Sequence, residues 1–314
     1  MSKRLALIAI GGNSLIKDKD HQTVQDQYEA AYETCEHIAD VIASGWRVVV
    51  THGNGPQVGF ILLRSELARH AIHEVPLVSC VADTLGAIGW HLQMALGNVL
   101  RLRGMPGHVA TVVTQCVVDA ADPSFANPTK PIGMFYTREE ALKHAAERGW
   151  TVAEDSNRGW RRVVPSPRPL EVVEVEAIKA LLEAGVMVVA AGGGGIPVVR
   201  GPDGTLRGID AVIDKDLASS LLATALGVDT LVISTAVPGA FVDFGKPTQR
   251  MLERVTVAEL KELHAQGHFG KGSMGPKVAA IIQFLERGGR EAIITSPELL
   301  AEAVEGRAGT HVTP

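Results

Sequence analysis

The chain has 314 residues, enough for one large domain or two lobes with a substantial buried core. Hydrophobic residues make up 46% and charged residues 21%, and the formal net charge is -5 with no Lys/Arg run to offset it. That balance argues against a nucleic-acid binder. Cys35, Cys80 and Cys116 are widely spaced and odd in number, so they make neither a disulfide framework nor a zinc cluster, and they fit a reducing cytosol. After Met-Ser-Lys-Arg comes a short apolar run, too short for a signal peptide or a membrane span; a soluble cytoplasmic protein with no membrane partner is expected.

Leu5 to Ile10 is continuously apolar and stops at Gly11-Gly12-Asn13, the pattern of a strand buried on both faces of a parallel sheet. Helical spacing follows from about His21 to Ser44, with Gly45 as its stop. Trp46 to Thr51 reads as a second strand, running into His52-Gly53-Asn54-Gly55-Pro56. Pro56 suits a helix start, and Gln57 to about His70 has helical periodicity. A further helix is predicted from Asp83 to Arg103, and Val109 to Val118 forms a third β-rich run.

Between Asp119 and Pro169 prolines punctuate the chain and the pattern changes. Trp150 to Glu154 and Trp160 to Val164 flank Asp155-Ser-Asn-Arg-Gly159, a connection suited to a hairpin. This stretch reads as a small subdomain inserted on the main sheet, with Phe125, Phe135, Tyr136, Trp150 and Trp160 available for a local core. Alternation then resumes: a helix from about Val175 to Ala184, and a strand from Val186 to Ala191 that enters Gly192-Gly-Gly-Gly195. A hairpin is predicted around Gly201-Pro-Asp-Gly204. Asp214-Lys215-Asp216 then opens a helix to Leu226, with Asp216 as its N-cap and Gly227 as its stop. Thr230 to Ser234 is another buried strand, Thr256 to about Gln266 a helix, and Lys277 opens a helix to about Arg287. Glu291 to Thr295 reads as the last strand. Strand–helix alternation implies an α/β protein with a doubly wound sheet.

Three of these strands end in glycine clusters, Gly11-Gly12, Gly53-Asn54-Gly55 and Gly192 to Gly195. In an open α/β sheet ligands sit at the carboxyl ends of the strands, and glycine there lets backbone N–H groups approach phosphate oxygens. Familiar fingerprints do not fit. Gly53-Asn-Gly55-Pro-Gln-Val58 lacks the third glycine of a dinucleotide site, and Gly239 to Lys246 is too long for a P-loop and continues with Pro247. The scattered histidines give no metal site, so no protein metal ligands are expected. Lysines remain: Lys130 on a proline-stiffened loop, Lys215 between aspartates, and Lys277 at a helix start, where a cation hints at an anionic partner. Phosphoryl transfer needs such positioning and charge neutralisation more than covalent chemistry.

Seven segments carry a resemblance to the carbamate kinases of the amino-acid-kinase superfamily. They are Ala9 to Asn13, Thr51 to Gly59, Asn127 to Gly133, Arg161 to Pro167, Gly192 to Val199, Val212 to Asp216 and Gly272 to Lys277. The matches run in order over nearly the whole chain, and the insert at about 119–169 is their most diagnostic part. The resemblance implies an αβα sandwich with a mostly parallel central sheet, in two lobes with a small inserted subdomain. Residues 1–185 would form the carbamate-binding lobe and 186–314 the nucleotide-binding lobe. It implies that Gly11, Gly12 and Asn13 flank the transferring phosphoryl group and that Gly53 and Asn54 hold carbamate. Lys215 and Lys277 would neutralise the phosphates, Asp216 would orient them, and Lys130 would reach in from the insert. Thr235, Ala236, Ser273 and Met274, with Lys215 and Lys277, would line the nucleotide. The implied partners are ATP/ADP with Mg²⁺, carbamate or carbamoyl phosphate, and a second copy in a homodimer. Two positions depart from the family pattern: Pro238-Gly239 follows Thr235-Ala-Val237 where an aspartate is expected, and Met134 replaces a proline. The alternatives are a superfamily kinase with a larger acceptor, for which Arg64 would be the anchor, and a non-catalytic nucleotide or metabolite sensor.

Overall fold

β1 (Leu5–Ile10) is buried at all six positions, and its neighbour β2 (Arg47–His52) pairs with it in parallel. The computed structural model describes residues 4–12, 15–18, 20–155, 159–270 and 272–314, so Asn13 lies outside the described residues. Between the two strands runs α1 (Val24–Ala43), which starts at a reciprocal capping box between Thr23 and Asp26. α2 (Gly55–Ala68) carries Pro56 in its first turn. α3 (Leu77–Leu102) starts earlier than its periodicity suggests, because Leu77, Cys80 and Val81 cover a small core with Val58 and Ile132. The run from Val109 to Val118 divides into β3 (His108–Thr111) and β4 (Gln115–Val118), which belong to different sheets. Thr114 makes the break: its hydroxyl donates to the Val112 carbonyl and accepts from the Ala191 N–H.

The insert contains β5 (Lys130–Tyr136), α4 (Arg138–Arg148), β6 (Thr151–Glu154) and β7 (Trp160–Val164). The strands form an antiparallel sheet in the order β5-β7-β6, which includes the expected hairpin; residues 156–158 of its turn lie outside the described residues. α4 escaped the sequence reading because it is charged and buries only Ala141. Its signals were nevertheless present, a Thr137–Glu140 capping box and a left-handed Gly149 at its end. The local core is smaller than expected. Tyr136 and Trp150 meet across His144, with ring centroids 4.9 and 4.8 Å from it, while Phe125 packs against the main core instead.

β8 (Pro169–Val172) and α5 (Val175–Glu183) lead back to β9 (Val186–Val189). The predicted hairpin is β10 (Ile196–Arg200) with β11 (Leu206–Gly208), followed by α6 (Lys215–Leu226) and β12 (Thr230–Ser234). β13 (Phe241–Val242), β14 (Arg250–Met251) and β15 (Arg254–Thr256) precede α7 (Val257–Ala265) and α8 (Met274–Glu286). Beyond β16 (Glu291–Thr295) come α9 (Leu300–Val304) and β17 (Thr310–Thr313). β17 pairs antiparallel with β16, so Glu291–Thr295 is not the last strand. It lacks an apolar run: Thr310 and His311 are buried through hydrogen bonds, the latter 2.8 Å from Glu291 Oε1.

The main sheet has the order β15-β17-β16-β12-β1-β2-β9-β3, parallel except at the β16–β17 pair. Alternate residues of β1 enter opposite layers. Leu5, Leu7 and Ala9 join the core under α5, α6 and α8, and Ala6, Ile8 and Ile10 join the core under α1, α3 and α9. Each fully buried aliphatic side chain contributes about 1.5–3 kcal/mol, so a strand apolar on both faces locks an αβα sandwich together. β12, β1, β2 and β9 lie side by side and parallel, so the segments after them leave the same edge of the sheet.

Candidate active site

The helix α6 begins two residues earlier than its sequence suggests. Asp214, not Asp216, is the N-cap: it stays extended, and its carboxylate accepts from the Asp216 and Leu217 N–H groups. Lys215 is then the first helical residue, and Asp216 is released from capping. Its carboxylate, 4% exposed, is bridged by Lys215 Nζ at 2.6 Å and Lys277 Nζ at 3.0 Å. Burial would raise the Asp216 pKa, but the two ammonium groups outweigh it and bring it down to about 2. For Lys215 burial wins over Asp216, with Lys277 adding repulsion, and its pKa is lowered. Lys277 arrives from the first turn of α8, the neighbour of α6.

Lys130 comes from β5 of the insert and places Nζ 2.9 Å from Asp214 Oδ2. Three lysines from three separate elements therefore converge on the two aspartates that flank Lys215. Asp214 was missed as a member of this cluster. Its signal was the Asp-Lys-Asp spacing, in which the first aspartate caps and the second pairs.

The glycine segments divide into two kinds. A Cβ on Gly53 would lie 3.6 Å from Lys215 Cδ and 3.8 Å from the Gly12 nitrogen, so this loop faces the lysine and the end of β1. Gly11 is 3.3 Å, by the same construction, from the Ser234 carbonyl at the end of β12. Asn54 is buried and donates from Nδ2 to Thr84 Oγ1 at 2.9 Å. Gly192 to Gly195 are different, and the expectation of a third open phosphate cradle is corrected for them. All four are buried, and a Cβ would fall 2.1 Å from His52 Nε2 at Gly192 and 2.0 Å from Asn54 Nδ2 at Gly193. Gly193, Gly194 and Gly195 have φ of 63°, 97° and 85°, which side chains rarely adopt. This loop is a seat for His52 and Asn54. Burial pushes the His52 pKa down to about 4, so the imidazole behind Gly53 is neutral.

Beyond Lys277 a cavity of about 590 Å³ opens between the ends of β12 and α8. Thr235, Ala236, Ser273, Met274 and Lys277 line it, joined by Phe241 and Phe244 from the following loop. Of the six residues that the family resemblance implies for the nucleotide, the first five named here line the cavity and Lys215 does not. Pro238 is exposed, and Gly239 is packed where a Cβ would lie 2.7 Å from Thr310 Oγ1. The departure at this pair therefore shapes the turn into β13. Among the described residues no group of three or more His, Cys, Asp or Glu side chains is placed to hold a metal ion. No described helix is long and apolar enough to cross a membrane.

The profile of the amino acid kinase family matches residues 4–296. The chain belongs to that family. The carbamate kinase-like protein YahI of Escherichia coli (strain K12) is 49% identical to it over 315 residues, covering 99% of each. The carbamate kinase of Pyrococcus horikoshii is 48% identical over 310 residues, covering 98% of each. Among solved structures, carbamate kinase from Giardia lamblia bound to AMP-PNP superposes with a TM-score of 0.92 at 43% identity, covering 99% of both chains. The match includes the insert that places Lys130. This amino acid kinase therefore has full-length relatives named for one reaction.

Proposed function

We propose that this amino acid kinase family member is a carbamate kinase, interconverting ATP plus carbamate with ADP plus carbamoyl phosphate. The observation that carries the reading is the cluster of Lys130, Lys215 and Lys277 on Asp214 and Asp216, beside the Gly53 loop and the nucleotide-sized cavity. A carbamate oxygen attacks the γ-phosphorus as the bond to the β–γ bridging oxygen breaks. The attacking carbamate oxygen is already anionic, so no proton needs to be removed, and the bridging oxygen leaves with ADP.

The chain's own groups do the electrostatic work. Lys215 and Lys277 neutralise the transferring phosphoryl group, and Asp216 holds both ammonium groups in place before substrate arrives. Lys130 closes the site from the insert. Gly11 and Gly12, with Asn13, flank the phosphoryl group, and Gly53 and Asn54 hold carbamate. Thr235, Ala236, Ser273 and Met274 line the nucleotide. Residues 1–185, with the insert at about 119–169, then serve carbamate, and 186–314 serve the nucleotide. Both Asp216 oxygens are taken by lysines and Asp214 is shared by Lys130 and the helix cap, which fits a magnesium ion carried by the nucleotide phosphates rather than by protein carboxylates. Bound there, magnesium would neutralise phosphate charge. Relationship to the carbamate kinases supports a cytoplasmic homodimer.

Arg64, the anchor a larger acceptor would need, is exposed on α2. The test is ATP formation from ADP with carbamoyl phosphate, run against acetyl phosphate and an acylated amino-acid phosphate. Preference for carbamoyl phosphate supports the reading, and ADP binding without transfer from any donor overturns it in favour of a sensor.

A further inference from the structure

We propose that Thr51 is a positioning residue for Lys215, acting through a buried hydroxyl relay that runs from strand β2 into the first turn of α6. Ser219 Oγ lies 2.6 Å from the Lys215 carbonyl oxygen, and Thr51 Oγ1 lies 2.6 Å from Ser219 Oγ. Both residues are fully buried, at 0% exposure. Proton counting fixes the direction. A hydroxyl has one hydrogen and a carbonyl only accepts, so Ser219 donates to Lys215 and Thr51 donates to Ser219.

The two bonds do different things. A serine that bonds four residues back along its own helix is common, and by itself it positions nothing outside the helix. The Thr51 bond joins elements 168 residues apart in sequence. Thr51 directly precedes His52-Gly53, and the Gly53 loop lies against the Lys215 stem, with Lys215 Cδ 3.6 Å from a Cβ built on Gly53. One end of the relay is thus the strand carrying that loop, and the other is the backbone of the lysine.

Lys215 Nζ is held separately by Asp216. The relay fixes the root of the side chain and Asp216 fixes its tip, so the ammonium group keeps one distance from the Gly53 loop. Without the Thr51 hydroxyl, Ser219 Oγ loses its donor in a buried place, and the first turn of α6 loses this tie to β2. Phosphoryl transfer is sensitive to such a shift, since misplacement by about 1 Å can cost about 100-fold. The inference rests on the phosphoryl-transfer reading of Lys215.

Thr51→Val and Thr51→Ser separate positioning from packing. Valine matches threonine in shape and suits a strand that already contains Val48, Val49 and Val50, so the fold is retained. The expected result is a fall in kcat of about tenfold or more in Thr51→Val, with KM for ADP within about twofold, and recovery in Thr51→Ser. Ser219→Ala should match Thr51→Val, and the double variant should be no worse than the poorer single one. Wild-type kcat in Thr51→Val, or an equal loss in Thr51→Ser, overturns the proposal.

A second readout does not depend on the substrate. The Lys215 side-chain signal, observed by carbon-13 lysine NMR and assigned with Lys215→Arg, should shift in Thr51→Val and return in Thr51→Ser. An unchanged signal overturns the relay. If the wild-type protein makes no ATP from carbamoyl phosphate, the functional reading fails, while this signal still decides the relay.

Discussion

At the scale of single residues, the site is governed by one buried anion between two cations. Breaking a buried pair by removing one partner leaves an uncompensated charge, so the cluster is sensitive to any single change. Lys215→Ala should lower kcat by about 10²–10³, the effect of losing one well-placed charge-stabilising group. Lys277 still pairs with Asp216 at 3.0 Å, so circular dichroism should show the wild-type fold. Wild-type turnover in a folded Lys215→Ala protein would end the assignment of that lysine. His52 makes a second residue-level prediction. Native His52 stays neutral down to about pH 4, while in the unfolded chain it takes up a proton near its ordinary 6.5. Between those values the unfolded state binds more protons, so stability falls as pH falls, by about 3 kcal/mol over the window. Denaturant midpoints measured from pH 7 to 4 should flatten in His52→Gln. The Asp216 contribution lies lower: it is present above the ordinary 3.8 and is lost as pH falls towards about 2.

At the scale of elements, the start of α6 is both a structural cap and an electrostatic anchor. Asp214 accepts two backbone N–H groups and the Lys130 ammonium at once. These duties separate in variants. Asp214→Asn keeps a side-chain oxygen for the cap and should leave thermal stability near wild type while weakening the hold on Lys130. Asp214→Ala should cost about 0.5–2 kcal/mol of stability as well, the usual loss for a missing cap. Similar melting temperatures for the two variants would contradict the dual role. The Gly192–Gly195 loop shows the same economy, because its missing side chains make room for His52 and Asn54 from the neighbouring strand end.

At the scale of the whole molecule, the insert must stay seated on α2 for Lys130 to reach Asp214. A Cβ on Gly59 would lie 2.8 Å from Gly133 Cα, with backbone on the facing side that cannot rotate away. Gly59→Ala should therefore lift the insert and reduce kcat/KM for carbamoyl phosphate, although Ala is the better helix former. Unchanged kcat/KM would show that the insert's seating on α2 does not govern the site. Much of the architecture was legible in the chain. Apolar runs with no alternation specify strands covered on both sides, and glycine after them specifies sharp exits at one edge. The Asp-Lys-Asp spacing and the two other lysines were legible as residue types in suggestive loops. The division of Val109–Val118 between two sheets was not legible, because the turn at Thr114 is held partly by the Ala191 N–H, 77 residues away in the chain. Nor were α4, whose charged face hides it, and β17, whose buried residues are polar.

The sequence by itself determined the αβα plan, the sheet edge at which the glycine segments leave the strands, and the lysines that lie in nearby loops and helix starts. Those follow from local pattern, since period, glycine position and charge are properties of short segments. Only the tertiary structure decided which aspartate caps and which one pairs, which glycine loop is open and which is packed, and that Thr51 reaches Lys215 through Ser219. Each of these depends on a contact between segments far apart in the chain, and such contacts exist only once the sheet order has brought those segments together.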